Sequence, residues 1–288
     1  IKKKHEAKVV ALANRTALLA SEHSIYRAKA IRLRTTDDGE LDQERPPEFM
    51  DLSRVTLEEL ILPRHVMEQV ETNIFTPIRH TALCRQYGIP LKRGVIAEGP
   101  YGTGKTLTAY ITAKVAVENG WTFIYLDRVS GLRQAMYFAQ RYGPAVIFAE
   151  DVDRVVSGDR SVSMDDVLNV IDGIDSKGQD IMTVLTSNNI ERIHKAMLRP
   201  GRIDAVIHFD APDSEAAQRL MRLYGNGLVD TDEDLTEAGQ VLAGNIPAVI
   251  REAVERAKLY AIGHTEEGKD MVVTGSDLAA SARQMRAH

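Results

Sequence analysis

A single cysteine, Cys84, stands in the 288 residues. No internal disulfide is possible, a reducing cytoplasmic setting is expected, and Cys84 reads as a small buried apolar residue. No apolar run approaches the length of a membrane span, so no membrane span is expected. Lys2-Lys3-Lys4 followed by 9–20 makes a poor signal peptide because Asn14 and Arg15 interrupt it. The sequence opens on Ile1 rather than Met, and residues upstream of it are expected. Internal repeats and low-complexity tracts are also missing. What remains is a chain 44% hydrophobic, enough for one sizeable core and a smaller module.

Charge is uneven. The net charge is −5, yet residues 1–34 carry nine Lys/Arg against two acidic residues. A basic arm on an acidic body follows, suited to nucleic acid or an acidic partner, or simply to solvent or a neighbouring subunit.

Along the chain, apolar spacing predicts an amphipathic helix in 1–21, a basic edge strand at 25–34 and a turn at 37–39. A polar linker runs to Pro46-Pro47. A helical stretch at 63–87 leads to strands at 94–98, 121–126, 145–149, 181–186 and 205–209. Helices at 106–118, 132–141 and 164–171 fall between them, with a loop at 157–162. Such alternation implies a parallel α/β sheet covered on both faces, with ligands at the carboxyl ends of its strands. Beyond Pro212 only helical spacing remains, at 214–224, 235–242, 246–261 and 276–286, with Ser214 and Ser276 as expected caps. The expected domains are 1–50 (basic segment and linker), 51–210 (α/β) and 211–288 (all-helical).

Gly99-Pro100-Tyr101-Gly102-Thr103-Gly104-Lys105-Thr106 fits the pattern G-x-x-x-x-G-K-[ST] between a strand and a helix. Glycines free backbone N–H groups to curl round an anion, and the helix that follows points its positive end into the same loop. Lys105 would reach β- and γ-phosphates and Thr106 would ligate Mg²⁺. The buried strand 145–149 ends in Glu150-Asp151-Val152-Asp153, which supplies a group for Mg²⁺ and one to orient an attacking water. A purely structural reading has these acids cap the sheet. Thr186-Ser187-Asn188-Asn189 ends the next strand with an amide that could hold that water or sense the γ-phosphate. Arg199 and Arg202, on Leu198-Arg199-Pro200-Gly201-Arg202, could reach a neighbouring subunit's phosphate or form surface salt bridges.

With these motifs in this order, residues 50–288 resemble an AAA-family ATPase of the wider AAA+ class. The resemblance implies a P-loop domain with a parallel five-stranded sheet and a helical lid, assembled as a ring of six, with ATP and Mg²⁺ as cofactors. It makes Gly99 to Thr106 the Walker A loop, with Leu107 completing the nucleotide contacts. Glu150 and Asp151 become the Walker B acids, Asn188 sensor 1, and Arg199 and Arg202 the arginine fingers. Tyr224 corresponds to a lid position beside the nucleotide. Ala243-Gly244-Asn245-Ile246-Pro247 stands where the family usually has Ser-Gly-Ala-Asp, so no sensor-2 arginine is expected.

Two departures stand out. The usual Walker B ending is Asp-Glu; here it is Glu150-Asp151, an order also found in a branch resembling mitochondrial translocase-type AAA chaperones. Glu150 would then serve the metal, and Asp151 would polarise water with a side chain one methylene short. The connection Asp127-Arg128-Val129-Ser130-Gly131 has no aromatic residue where threading relatives carry a pore loop. The leading expectation is a ring motor, built from copies of this chain, that hydrolyses ATP and remodels a macromolecule, protein rather than nucleic acid. A nucleotide-gated scaffold with little hydrolysis, and a nucleic-acid-associated AAA helper, are the alternatives.

Overall fold

The sheet at the centre of the chain grows from apolar runs too short for helices and bounded by turn residues. Its strands are β1 Ala30–Leu33, β2 Glu48–Phe49, β3 Arg93–Glu98, β4 Thr122–Leu126, β5 Ala145–Ala149, β6 Ile181–Ser187 and β7 Ala205–His208, in the order β2-β1-β4-β5-β6-β3-β7. The computed structural model describes residues 5–34, 36, 42, 44–153, 171, 179–189, 202–265 and 270–286. Strands β1, β4, β5 and β6 pair parallel, and β2 lies antiparallel on β1. Every residue of β4, β5 and β6 is buried, as the continuous apolar character of a sheet covered on both faces requires. Phe123 and Phe148 are fully buried, each stabilising the fold by about 2–3 kcal/mol.

The parallel α/β sheet agrees with the reading of the sequence, but among the described residues it has seven strands rather than five. The five expected strands are contiguous, β4-β5-β6-β3-β7, and β1 and β2 extend the β4 edge. Left unpaired, that edge would expose a row of N–H and C=O groups. Ala30–Leu33 covers it and buries Ile31 and Leu33 as it does so.

Helix α1 spans Glu6–Glu22, with Val9, Leu12, Leu18 and Leu19 exposed. The helical stretch expected at 63–87 is interrupted: α2 Arg64–Val70, a π-helical turn Glu71–Phe75, α3 Thr76–Arg79 and α4 Thr81–Gln86. Pro77 has no N–H to give the preceding turn, which accounts for the break. Helix α5 is Lys105–Glu118, and α6, Leu132–Tyr142, packs on β4 and β5 through Leu132, Ala135, Met136 and Ala139.

Contacts divide the chain into two compact units, one of residues 1–55, 72–97 and 109–206, the other of 56–71, 98–108 and 207–288. The second contains α7 Ser214–Gly225, α8 Thr236–Leu242, α9 Pro247–His264 and α10 Gly275–Arg286, packed round Leu220, Leu242, Ile250, Val254 and Leu278. The caps differ from expectation by one or two residues. Asp213, not Ser214, caps α7 by accepting from the Ala216 N–H at 2.7 Å. Thr274, not Ser276, caps α10, its hydroxyl and N–H exchanging bonds with the Asp277 N–H and carboxylate. A cap must sit outside the helix to turn its side chain back onto free N–H groups. Asp213→Ala should cost about 1 kcal/mol, read as a lower urea midpoint at unchanged slope. No helix among the described residues is long and apolar enough to cross a membrane. The expected turn at 37–39, loop at 157–162 and most of the helix at 164–171 lie outside the described residues.

Candidate active site

Strand β3 runs straight into the 99–106 loop, whose shape follows from its glycines. Gly99 has φ +155°, and a Cβ there would stand 2.4 Å from the Phe209 carbonyl oxygen. Gly104 has φ +106°, in the region that L side chains rarely adopt. The loop closes on Lys105. Its side chain is 8% exposed, and its ammonium donates to the carbonyls of Gly99 at 2.5 Å and Pro100 at 2.8 Å. The Thr103 hydroxyl donates to the same Pro100 carbonyl at 2.9 Å. Tyr101 and Thr106 are exposed, and Leu107 is half-buried. Two apolar side chains stand beside the loop: Leu62, 3.2 Å from where a Cβ on Gly104 would lie, and Ile246, 3.4 Å from the equivalent point on Gly102. Leu62 was not apparent from sequence, since nothing in its neighbours marks it as close to the loop. In the same unit, Glu98 pairs with His208 at 2.6 Å and Asp210 with His65 at 3.0 Å. Tyr224 packs on the helical core with the Arg251 guanidinium 4.6 Å over its ring.

In the other unit, the carboxyl ends of β5 and β6 bring the acids and the amide together. Asp151 leaves β5 with φ +53°, a left-handed conformation that Asp tolerates better than most residues. Its N–H donates to the Thr186 hydroxyl at 3.0 Å, and its carboxylate accepts from Asn188 Nδ2 at 2.8 Å. The buried Asp153 carboxylate accepts from the Asn188 N–H at 3.1 Å. Asn188 Oδ1 is buried and has no hydrogen-bond partner among the described residues. A buried acceptor left unmatched costs about 1–3 kcal/mol, so the arrangement suits the arrival of a donor such as water.

Glu150 is held differently, by the hydroxyl of Tyr125. Burial pushes the Tyr125 phenol well above its usual range, and the Glu150 charge adds to the effect, so Tyr125 remains a neutral donor. Tyr125 was missed from the sequence. Period-two alternation could have put it on the same face as Glu150, but only once the register of β4 on β5 was known.

The backbone at Arg202 runs beside Gly94 of β3 and is held there through Asp204. The Gly94 N–H donates to the Asp204 carboxylate at 2.9 Å, and the Asp204 N–H to the Gly94 carbonyl at 2.7 Å. Arg199 lies outside the described residues.

The donor chemistry fits a nucleotide and a magnesium ion. A buried ammonium ringed by backbone suits phosphate. The Thr106 hydroxyl in one unit and the Glu150 carboxylate in the other are each hard oxygen donors, the type that Mg²⁺ prefers. Among the described residues no cluster of three or more His, Cys, Asp or Glu could form an all-protein metal cage, whereas Mg²⁺ commonly binds through one or two carboxylates and substrate phosphates.

Comparison with known proteins finds both relatives and a family. The chain is 28% identical over 222 residues to the 26S proteasome regulatory subunit 8 homolog of Schizosaccharomyces pombe, covering 68% of this chain and 53% of that protein. It is 30% identical over 238 residues to the subunit 8 homolog of Naegleria fowleri, covering 72% and 56%. It is 29% identical over 213 residues to the probable 26S proteasome regulatory subunit 4 of Caenorhabditis elegans, covering 65% and 47%. The chain thus spans about half the length of the curated relatives it matches. The family model for the ATPase family associated with various cellular activities (AAA) matches residues 95–211. Because that segment opens on β3, which feeds the loop, and closes just past β7, it takes in both the loop and the carboxylate row, and residues 95–211 form an ATPase domain of the AAA family.

Proposed function

We propose that this chain binds ATP with Mg²⁺ at the 99–106 loop and hydrolyses it as one subunit of a ring, using the cycle to remodel a protein substrate. In this reading Lys105 and the loop N–H groups hold the β- and γ-phosphates, and Gly99 through Leu107, with Tyr224, form the nucleotide contacts. Thr106 and Glu150 hold the metal. Bound Mg²⁺ would supply charge neutralisation on the phosphates. Arg199 and Arg202 of an adjoining copy complete the pocket.

The observation that carries the proposal is the Asp151–Asn188 pair. With one Nδ2 hydrogen committed to Asp151, the buried Oδ1 is the acceptor that the amide still has to offer. A water donating one hydrogen to that oxygen and the other to Asp151 keeps its lone pairs free for attack on phosphorus. Asn188 thereby compensates for an acid one methylene shorter than glutamate. The Glu-Asp order, shared with the mitochondrial translocase-type branch, is then compatible with turnover.

Relatives that are 26S proteasome regulatory subunits favour assembly and a protein substrate over nucleic acid. The connection from β4 to α6 lacks an aromatic residue and buries Val129, which argues against the usual aromatic pore-loop grip. The basic arm would face a partner subunit or the substrate.

Single-turnover phosphate release tests the proposal. The wild-type chain should convert bound ATP, and Asp151→Asn should slow release by about 10²-fold or more while leaving ATP binding in place. Wild-type protein that holds ATP intact would favour the nucleotide-gated scaffold, the reading suggested by the exchanged acids.

A further inference from the structure

The strand added by the basic N-terminal segment brings a cation to the carboxylate row. In the β1–β4 register Arg32 is the partner of Tyr125, and in the β4–β5 register Tyr125 is the partner of Phe148. Glu150 lies two residues beyond Phe148, and alternate residues share a face, so Arg32, Tyr125, Phe148 and Glu150 point to one side of the sheet. Side-chain geometry bears this out. Tyr125, 4% exposed, stacks on Phe148 with ring centroids 6.4 Å apart and planes inclined by 7°. The Arg32 guanidinium lies over the Tyr125 ring, 4.8 Å from its centroid. Arg32 Nη2 also donates to the Tyr110 hydroxyl on α5 at 3.2 Å, and Nη1 lies 3.8 Å from the Asp127 carboxylate. The rings of Tyr110 and Tyr125 are 6.2 Å apart. Three neighbours therefore fix Tyr125, whose hydroxyl meets the Glu150 carboxylate.

We propose that Tyr125 is a positioning residue that orients the Glu150 carboxylate towards the metal of the nucleotide, and that Arg32, delivered by the N-terminal strand, holds Tyr125 in the pose that does so. The inference rests on the reading of Glu150 as the metal-side acid. A hydroxyl donated to one carboxylate oxygen fixes the rotamer and leaves the other oxygen directed outwards as the ligand. Phenylalanine would fill the same volume without burying a hydroxyl, so packing alone does not call for tyrosine here. An arginine suits the other role because its planar guanidinium can lie flat on one ring while its in-plane N–H groups bond to the next, a stacked geometry that a compact ammonium does not reproduce. The segment 30–33, outside the five expected strands, thus becomes part of the ATPase site.

Equilibrium binding of a fluorescent methylanthraniloyl ATP analogue to the full chain, titrated with EDTA and then over a range of Mg²⁺ concentrations, tests this without relying on turnover. Loss of a group that orients a metal ligand typically costs 10–100-fold in metal affinity, so Tyr125→Phe should raise the half-saturating Mg²⁺ concentration about 10-fold and leave the affinity in EDTA unchanged. Arg32→Ala should shift it in the same direction by less, and Arg32→Lys should not restore it. Added to Glu150→Gln, Tyr125→Phe should have no further effect, because its only route to the metal has gone. Should Tyr125→Phe fail to fold, Arg32→Ala, on a partly exposed side chain, carries the same expectation. A wild-type Mg²⁺ dependence in Tyr125→Phe, with Glu150→Gln still abolishing it, would overturn the proposal, and so would an equal loss of affinity in EDTA. A Mg²⁺ dependence indifferent to Glu150→Gln would instead overturn the role given to Glu150.

Discussion

Lys105→Ala is expected to lose ATP binding and ATP turnover together, with kcat/KM falling by about 10³-fold or more. The Lys105 ammonium is nearly the whole positive charge inside the loop, and it is buried, where a charge interacts more strongly than in water. Two of its partners, the Gly99 and Pro100 carbonyls, are neutral oxygens, weaker acceptors for an ammonium than a charged phosphate oxygen. Alanine removes that charge and leaves two carbonyl oxygens facing the incoming anion. Arg199→Ala should behave differently. A cation supplied from an adjoining subunit acts on charge developing in the transition state, so turnover should fall while ATP still binds. Isothermal titration with ATP, alongside steady-state phosphate release, separates the two. Equal turnover in wild type, Lys105→Ala and Arg199→Ala would end the proposed mechanism.

Gly94→Ala is expected to destabilise the fold by about 3 kcal/mol or more, at the upper end of what overpacking costs. Intrinsic propensity points the other way, since alanine usually gains about 0.5–1 kcal/mol over glycine inside a strand. Packing decides the sign. A Cβ on Gly94 would stand 1.8 Å from the Arg202 carbonyl oxygen and 3.1 Å from Ile203 Cδ1. Backbone must therefore separate where the two Gly94–Asp204 hydrogen bonds now hold it. For a chain of this size the expected fall in Tm is about 6–12 °C. Gly263→Ala in α9 is the control: nothing lies within 4 Å of its would-be Cβ, and helix propensity should stabilise it by about 0.5–1 kcal/mol. Gly94→Ala melting at or above wild type would show that β3 can move away from the Arg202 segment at no cost. Because Arg202 sits on that segment, Gly94→Ala should also impair turnover more than its stability loss alone explains.

The loop was legible from sequence because its conformation is local. Glycines at fixed spacing, a lysine and a strand before them dictate one geometry whatever surrounds it. The buried strands were legible for a related reason: 145–149 is apolar without interruption and too short for a helix. The β1 strand was harder to place. Four residues bearing Arg32 read as an exposed edge, and nothing local says that they pair with β4 and extend the sheet to seven strands. The caps were misassigned by a residue or two because Asp213 and Ser214 have similar local preferences, and only the observed backbone selects between them.

The sequence by itself determined the phosphate loop, the order of the acids, the alternation of strands and helices, and the helical module after Pro212, all properties carried within short windows. Tertiary structure decided which distant groups meet: Asn188 on Asp151, 37 residues away; Arg32 on Tyr110, 78 residues away; Tyr125 against Glu150; and the carbonyl that excludes a side chain from Gly94. The physical reason is register. Strand pairing fixes which residues share a face and a level, and a shift of one residue would turn each of these groups to the opposite side of the sheet.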